Sequence, residues 1–385
     1  MTDPRIIYDH HCQRWIACMA DRTAQVLRLA VSHSADPSGL LVNWNRYTVA
    51  VTEPGLPLVD YPTLGVDQNG VYIVVHLYSN QGVPVSARQK VVAIRKQGNC
   101  LGSISPGDIH IVPTLNSPYQ KLILQPAVNF DAIGSDAIVW FVAKGDPQSA
   151  HGPIHYGRLK WINGLPRFLE YPWSNTLSVS PPYYDLDQAS ATFGAPQRPS
   201  GGSNQKITEL FGSRLMMAVV RDGSLWTCHH VGLNTGGGYA GENENALRTG
   251  IQWFQIQTSP TVSISASGRV YDGSSSNPYW YYMPSLMVNA AGDMVMGFSG
   301  SRGSEYIGAF YTGRKANGTM PAKPVLIQAG RSYYDWNRWG DYSYTTSDPE
   351  GGALWTIQQY TEAPISPPSD SQEYGTWVGK IVPNP

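Results

Sequence analysis

Carboxyl and phenol groups recur at matching places along this chain of 385 residues. Asp60 and Asp341 are each followed by a tyrosine, Tyr61 and Tyr342, and Tyr282 occupies a similar place in another segment. Paired carboxyl groups, or a tyrosine nucleophile, are the groups that enzymes use to hydrolyse glycosidic bonds. Asp60, Asp341 and Tyr282 are therefore candidate catalytic residues.

Histidines offer a second kind of chemistry. His229 and His230 are adjacent, and His76 falls at the equivalent place when the glycines of neighbouring turns are aligned. A histidine and a tyrosine can abstract and return a proton, as a polysaccharide lyase requires. His229 is therefore a fourth catalytic candidate, with Tyr282 as its partner, while His76 and His230 are candidates for binding substrate.

Aromatic residues are concentrated in the segments before Tyr282 and before Asp341. Trp280 lies in the first of these segments, and Trp336 and Trp339 lie in the second beside Arg338. Flat rings suit sugar rings, and large aromatics exposed together usually mark an interaction site. The predicted substrate-binding set therefore also includes Tyr61, Trp280, Trp336, Arg338, Trp339 and Tyr342. The predicted partner is a glycan or polysaccharide. Two alternatives remain open, namely that the tryptophans pack the loops or that they form the protein interface of an adhesive scaffold.

A calcium site is also considered. Asp3, Asp60 and Asp341 would supply its carboxylate oxygens, which are the ligands that Ca²⁺ prefers. The sequence lacks the regular acidic spacing of a calcium loop, so Ca²⁺ is the one cofactor considered and no spacing supports it.

A repeated hairpin must position these residues. Each copy has an alternating strand, a tight turn such as Asn69-Gly70 or Asp222-Gly223, and a second alternating strand. The copies begin near residues 3, 60, 125, 213, 282 and 341. A third strand follows each hairpin and a fourth follows most. The pattern predicts an all-β chain, folded over residues 1–385 as a single β-propeller of six four-stranded blades. The alternative is a row of separate sandwiches.

The last repeat has no sequence for a fourth strand after its third. We expect either one blade of three strands or native residues that precede Met1. In a propeller, the start of each first strand and the end of each second strand face one rim. The candidate catalytic and binding residues would therefore lie on that rim.

Composition excludes several classes of protein. The formal net charge is −1, with 27 Lys and Arg, so no basic surface for a nucleic acid is expected. No apolar run is long enough to span a membrane. Only 14% of residues are charged, and 12 Trp and 23 Tyr are present, which favours a secreted, extracellular protein. The first residues, Met1-Thr2-Asp3-Pro4, show no charged-then-apolar signal pattern, so we expect either that a signal peptide has been removed or that the protein stays inside the cell, and composition favours the first. We expect a monomer, with the four cysteines buried or with Cys12 and Cys18 in one disulfide.

Three segments are distinctive, namely residues 338–343 (RWGDYS), Asp222-Gly223-Ser224-Leu225-Trp226 and Met283-Pro284-Ser285. They resemble segments of secreted bacterial sialidase-like (BNR-type) β-propeller proteins, many of which are of unknown function. This resemblance implies the propeller fold over nearly the whole chain. Sialidases carry Ser-x-Asp-x-Gly-x-x-Trp boxes, but here Val220 stands at the serine position, and no arginine triad is found. The resemblance therefore implies an architecture and does not imply sialidase activity.

Overall fold

The structure of this chain is a computed structural model. It describes residues 1–39, 42–79, 88–98, 100–115, 123–132, 138–144, 153–179, 194–200, 204, 206–210, 212, 214–240, 246–363 and 373–383. These residues form strands and turns, with one 3₁₀ helix at Pro106–Asp108 and no α-helix among them, so the all-β prediction is confirmed. Within the same residues, no helix is long and apolar enough to cross a membrane.

The chain divides into two compact units, and the first comprises Met1–Asp146 and Ile154–Leu177. One of its sheets runs β1-β2-β3-β4, with strands at Thr2–Asp9, Arg14–Asp21, Val26–Ser32 and Trp44–Val49. A second runs β5-β6-β7-β8, with strands at Leu58–Val66, Gly70–Tyr78, Arg88–Arg95 and Ile109–Leu115. A third runs β13-β12-β11-β9, with β9 at Gln125–Pro126, β11 at Ile138–Lys144, β12 at Ile154–Ile162 and β13 at Leu165–Leu177. The short strand β10, Val128–Asn129, pairs in parallel with β5.

The second unit comprises Pro147–Pro153 and Ser178–Pro385. Its strands β14 to β17 follow in order at Met217–Arg221, Ser224–Leu233, Arg248–Gln257 and Ser263–Val270. A four-stranded sheet follows, β18 to β21, at Trp280–Val288, Met294–Arg302, Glu305–Arg314 and Val325–Gln328. The last sheet has three described strands, β22 to β24, at Tyr344–Ser347, Leu354–Thr361 and Tyr374–Ile381.

Tight turns join β14 to β15 at Asp222-Gly223 and β5 to β6 at Asn69-Gly70. Asp222 and Gly223 both have positive φ, 51° and 67°, as a two-residue hairpin turn demands. At the Asn69-Gly70 turn the Asp67 carboxylate accepts both backbone N–H groups at 2.7 Å. Ser213, near which the fourth hairpin was predicted to begin, lies outside the described residues. Closure of these sheets into one six-bladed propeller stays a prediction.

One backbone feature recurs in the first strand of three hairpins. Asp3, Tyr61 and Met283 have φ values of 57°, 43° and 54°, and each directly precedes a proline. Each also lies within a register shift between the first and second strands of its hairpin. A non-glycine residue at positive φ is uncommon, and a following proline restricts it further. We call this feature the pre-proline bulge. In β5 the bulge comes directly after Asp60, and in β18 it comes directly after Tyr282.

The first unit buries polar groups within its core. Lys96 and Asp9 form an ion pair of 2.6 Å in which both side chains are fully buried. The Asp67 carboxyl is buried too, and it accepts a hydrogen bond from the Tyr72 hydroxyl at 3.2 Å. That hydroxyl in turn accepts one from Trp161 Nε1 at 2.7 Å. Burial raises the pKa of Asp67 to about 6, against the opposing charge of Lys96.

The disulfide considered for Cys12 and Cys18 is not present, and no disulfide occurs among the described residues, which include all four cysteines. The Cys12 thiol instead hydrogen-bonds with that of Cys100. Cys18 is fully buried on β2, where desolvation raises its pKa to about 12. Cys12, Cys18 and Cys228 are buried small side chains, as the other expectation had it, whereas Cys100 is only partly buried.

Candidate functional site

Asp60 lies on β5 opposite His76 of β6, directly before the pre-proline bulge at Tyr61. Its side chain is 25% exposed, so the carboxyl is half-buried yet open to a ligand. The bulge interrupts the ladder between Asp60 and Thr63. Bulges are frequent beside active sites because they redirect side chains out of the regular alternation. The local fold therefore presents the Asp60 carboxyl at an irregular point of the sheet.

Three charged groups meet at this point. Arg22 Nη2 lies 2.5 Å from Asp60 Oδ1, and the carboxyl groups of Asp60 and Asp3 share a hydrogen bond. The backbone N–H of Tyr61 points at Asp3 Oδ2 at 3.5 Å. A hydrogen bond between two carboxyl groups requires a proton on one of them, so the contact with Asp3 favours the protonated form of Asp60.

The pKa of Asp60 is raised above its ordinary value. Burial is the largest cause, and the hydrogen bond with Asp3 acts in the same direction. Arg22 opposes both, because its positive charge favours the ionised carboxylate. A raised pKa in a half-buried carboxyl with specific charged neighbours is typical of functional sites, although structural ion pairs also produce it.

Aromatic rings border the carboxyl pair. The Tyr61 ring meets the His76 ring edge-on at 6.2 Å, and the Arg5 guanidinium lies 5.5 Å from the centre of the Tyr61 ring. His76 itself is buried, with the Tyr78 ring stacked at 6.3 Å. We call Asp3, Arg22, Asp60, Tyr61 and His76 the Asp60 cluster. It brings together four residues that the sequence singled out, and it adds Arg22.

In the second unit, three predicted site residues lie in the core. Trp280, Tyr282 and Trp339 belong to one apolar cluster in which Tyr282 and Trp339 are fully buried. The Tyr282 hydroxyl donates a hydrogen bond to Ser301 Oγ at 2.9 Å, and desolvation raises the pKa of this tyrosine well above its ordinary value. A packing role accounts for these rings, and in this conformation none of them offers a face to a sugar.

The two adjacent histidines are buried as well. His229 pairs across the ladder with Gln252 of β16, and its ring lies 5.8 Å from the Phe254 ring. The Nδ1 atom of His230 faces the backbone N–H of Met283 at 3.4 Å. Both side chains are fully shielded from solvent. The structure therefore places these histidines inside the unit and away from an open surface.

Asp341 is held by Arg338, whose Nη2 lies 2.8 Å from its Oδ1. Arg338 also lies 3.5 Å from Glu209. Trp336 is the exposed tryptophan of this loop, with 49% of its surface accessible, and Tyr342 is partly buried. Asp341, Arg338 and Trp336 thus lie at the surface of the second unit, with Asp341 neutralised by an arginine.

No metal site emerges from the predicted ligands. Across the described ranges, no three His, Cys, Asp or Glu residues are grouped as a metal ion would need. Asp3 and Asp60 share a hydrogen bond, and Asp341 pairs with Arg338. The proposed Ca²⁺ ligands therefore do not form such a group.

Sequence reasoning missed the two arginines that contact Asp60 and Tyr61, namely Arg22 and Arg5. Arg22 follows the last residue of β2, where Asp-Arg-Thr is typical of a solvated turn. Arg5 is one charged residue in an alternating strand, and its Nε donates to the Pro62 carbonyl at 3.0 Å. A charged residue next to a hairpin turn carries no local signal of its partner, because that partner comes from another hairpin.

Comparison with known proteins gives neither a family nor a close relative. No family model matches the chain, and no curated protein matches it. Solved structures resemble it weakly. They include an α-L-arabinofuranosidase from Lactobacillus brevis, 11% identical over 83% of this chain and 92% of that one, with a TM-score of 0.40.

Two others are an endo-arabinase from Bacteroides thetaiotaomicron and a Trypanosoma rangeli sialidase bound to the inhibitor DANA. The first is 13% identical over 99% of this chain and 94% of that one, with a TM-score of 0.39. The second is 12% identical over 92% of this chain and 52% of that one, with a TM-score of 0.38. Likenesses at this level assign no activity to the chain, so its own residues must carry the functional argument.

Proposed function

We propose that this chain is a carbohydrate-active β-propeller, a glycoside hydrolase, in which the Asp60 cluster forms part of the active site. The observation that carries the proposal is the Asp60 carboxyl, half-buried, hydrogen-bonded to Asp3 and paired with Arg22. A carboxyl with a raised pKa keeps its proton to higher pH. That is the property that a general acid needs.

In this proposal Asp60 protonates the glycosidic oxygen. The bond from that oxygen to the anomeric carbon breaks with its electrons left on the oxygen, and water adds to the carbon and releases a proton. Asp3 positions the proton on Asp60 through their shared hydrogen bond, and Arg22 stabilises the carboxylate once the proton has left. Tyr61 provides an aromatic edge beside the reacting group.

The carboxyl pair differs from the usual arrangement of glycosidases. Their two catalytic carboxyl groups lie roughly 5–10 Å apart. Asp3 and Asp60 lie within hydrogen-bonding distance of each other, so we assign them to one proton-donating unit. Asp341 remains the sequence-based candidate for the second carboxylate.

The architecture and location are part of the same proposal. Repeated four-stranded antiparallel sheets with short turns support the blades of one propeller. Low charge and many aromatic residues support secretion, and a monomeric state is part of the proposal. The lyase alternative needs His229 and Tyr282 to reach a substrate, and their burial favours the Asp60 cluster instead.

The test is to incubate the protein with a panel of polysaccharides and to measure both new reducing ends and the absorbance of unsaturated sugars. Asp60→Asn should abolish the release of reducing ends, because the amide cannot donate a proton as an acid. Asp36→Asn is the matched control, since Asp36 is exposed and its carboxylate contacts Ser38.

Release of reducing ends that survives in Asp60→Asn would remove Asp60 from the mechanism. Unsaturated products would instead support the lyase alternative. Binding of a polysaccharide without cleavage would contradict the hydrolase and leave a lectin-like protein.

A further inference from the structure

The second unit contains a pocket of about 470 Å³ between β16, β17 and the residues near Val179. Its volume lies in the range of small-molecule sites, about 300–1,000 Å³. Polar groups of Arg269, Gln252 and Tyr239 line it together with the apolar side chains of Phe254 and Val179. None of these residues belongs to the Asp60 cluster.

Arg269 is held rigidly in this pocket. Its guanidinium lies 3.8 Å from the centre of the Tyr239 ring, and its Nε donates to Gln252 Oε1 at 3.0 Å. The Tyr239 hydroxyl lies 3.2 Å from the same Gln252 oxygen, and Gln252 is almost fully buried. A guanidinium stacked on a ring and fixed at Nε loses little freedom when it binds a ligand.

A glycine turn completes the support. Gly237 has a φ of 78°, and a Cβ at this position would lie 2.1 Å from the Tyr271 ring, so no other residue fits without a shift. The turn is closed by Asn234, whose Oδ1 accepts from the backbone N–H of Gly238 at 3.0 Å. This geometry presents the Gly237 carbonyl to the Nη1 atom of Arg269. The glycine at position 237 is thereby explained as part of the support for Arg269.

The contacts that the structure gives for Arg269 are with neutral groups. Among the residues described by the structure, no carboxylate pairs with Arg269, and the described lining of the pocket contains no Asp or Glu. The groups that do hold it are an amide oxygen, a backbone carbonyl and a ring face. Its remaining N–H groups can bind a carboxylate, whose planar geometry the guanidinium fork matches.

We propose that this pocket binds a carboxylate-bearing sugar, such as a uronic acid unit of an acidic glycan. Arg269 would bind the carboxylate, Phe254 and Val179 would contact the apolar face of the ring, and Ser178 would bind a hydroxyl. Recognition of the carboxylate follows from the pocket itself. That the carboxylate belongs to a sugar rests on the function proposed above.

The test measures binding of D-galacturonate and D-glucuronate by ligand-observed NMR and calorimetry, with D-galactose and D-glucose as the neutral counterparts. We expect the acids to bind with a Kd of about 10 mM or lower, and the neutral sugars to bind at least tenfold more weakly. Arg269→Gln should weaken binding of the acids about tenfold or more. Arg269→Lys, which keeps the charge but loses the fork, should weaken it less.

A second variant guards against misfolding. Ser178→Trp places a large ring at an exposed residue of the pocket lining and should block binding while leaving the thermal unfolding temperature unchanged. Asp60→Asn should leave binding of galacturonate intact, even if hydrolysis proves absent, so the two proposals can fail separately. The pocket proposal is overturned if neither acid binds, if galactose binds as tightly as galacturonate, or if folded Arg269→Gln binds the acids normally.

Discussion

Arg22 Nη2 lies 2.5 Å from Asp60 Oδ1, so the charge that most favours an ionised Asp60 comes from the turn between β2 and β3. Asp60 nevertheless has a raised pKa, because burial and Asp3 act against this arginine. Arg22 and Asp3 therefore shift the pKa of the proposed acid in opposite directions, and either of them can be substituted alone.

Arg22→Gln should raise the pKa of Asp60 further, because it removes the main group that lowers it. If Asp60 acts as a general acid, activity falls as pH rises through its pKa, and the variant should shift that fall to higher pH. The pH–rate profile, or a ¹³C titration of the Asp60 carboxyl, measures the shift. Arg28→Gln is the control, since Arg28 pairs with Asp21 at 2.9 Å. A pKa that stays constant or decreases in Arg22→Gln contradicts the assignment.

Tyr282→Phe separates a packing role from a catalytic one. The hydroxyl is fully buried against Ser301, so its removal should cost about 1 kcal/mol of stability and leave any activity unchanged. Denaturant unfolding and the polysaccharide assay are measured on the same preparation. Loss of activity in a variant of normal stability would restore Tyr282 as a catalytic residue and revive the lyase alternative.

Lys96→Met should be strongly destabilising, by about 3–5 kcal/mol, because it leaves the buried Asp9 carboxylate without its cation. The double variant Asp9→Asn with Lys96→Met should recover much of that loss in urea or guanidinium unfolding. Lys315→Met, which breaks a pair of 3.7 Å at a half-exposed lysine, should change stability by less than about 1 kcal/mol. Equal effects of the two lysine substitutions would show that the Asp9 pair contributes little.

Asp67 should make the first unit less stable as pH rises. Its pKa is raised from 3.8 to about 6 by burial, so the folded state favours the protonated form. This contribution is fully present below pH 3.8 and is lost as pH rises through about 6, a change of roughly 3 kcal/mol. Asp67→Asn should abolish that part of the pH dependence in unfolding measured between pH 4 and 7. Asp36→Asn should retain the wild-type slope, and the same slope in Asp67→Asn would contradict the prediction.

Much of the strand order could be predicted from the sequence because hairpins are local. The turn at Asp222-Gly223 and the alternation in β3 and β17 depend on residues close together in the chain. The same alternation is missing from β18, in which all nine residues are buried. A strand that is buried on both faces shows no alternation of polar and apolar residues, so its sequence does not indicate which side chains are in the core. For this reason Trp280 and Tyr282 could be mistaken for ligand-binding residues.

The candidate site was predictable only in part, for a related reason. Asp60, Tyr61 and His76 were found because they belong to one hairpin and recur in the repeat. Arg22 was missed because its partner lies in another hairpin. In the loop before β22, Trp336 is exposed and Trp339 is fully buried, although they are three residues apart. An irregular loop has no period that would distinguish them.

The pre-proline bulge has a consequence for the tolerance of this chain to mutation. Because Tyr61 is held at a φ of 43° before a proline, glycine, asparagine and aspartate should persist there in a selected library, whereas valine, isoleucine and threonine should be depleted. Asp3 and Met283 occupy the same conformation in side-chain environments as different as an ion cluster and an apolar core. Positions 3, 61 and 283 should therefore tolerate the same set of amino acids, because the backbone conformation selects them.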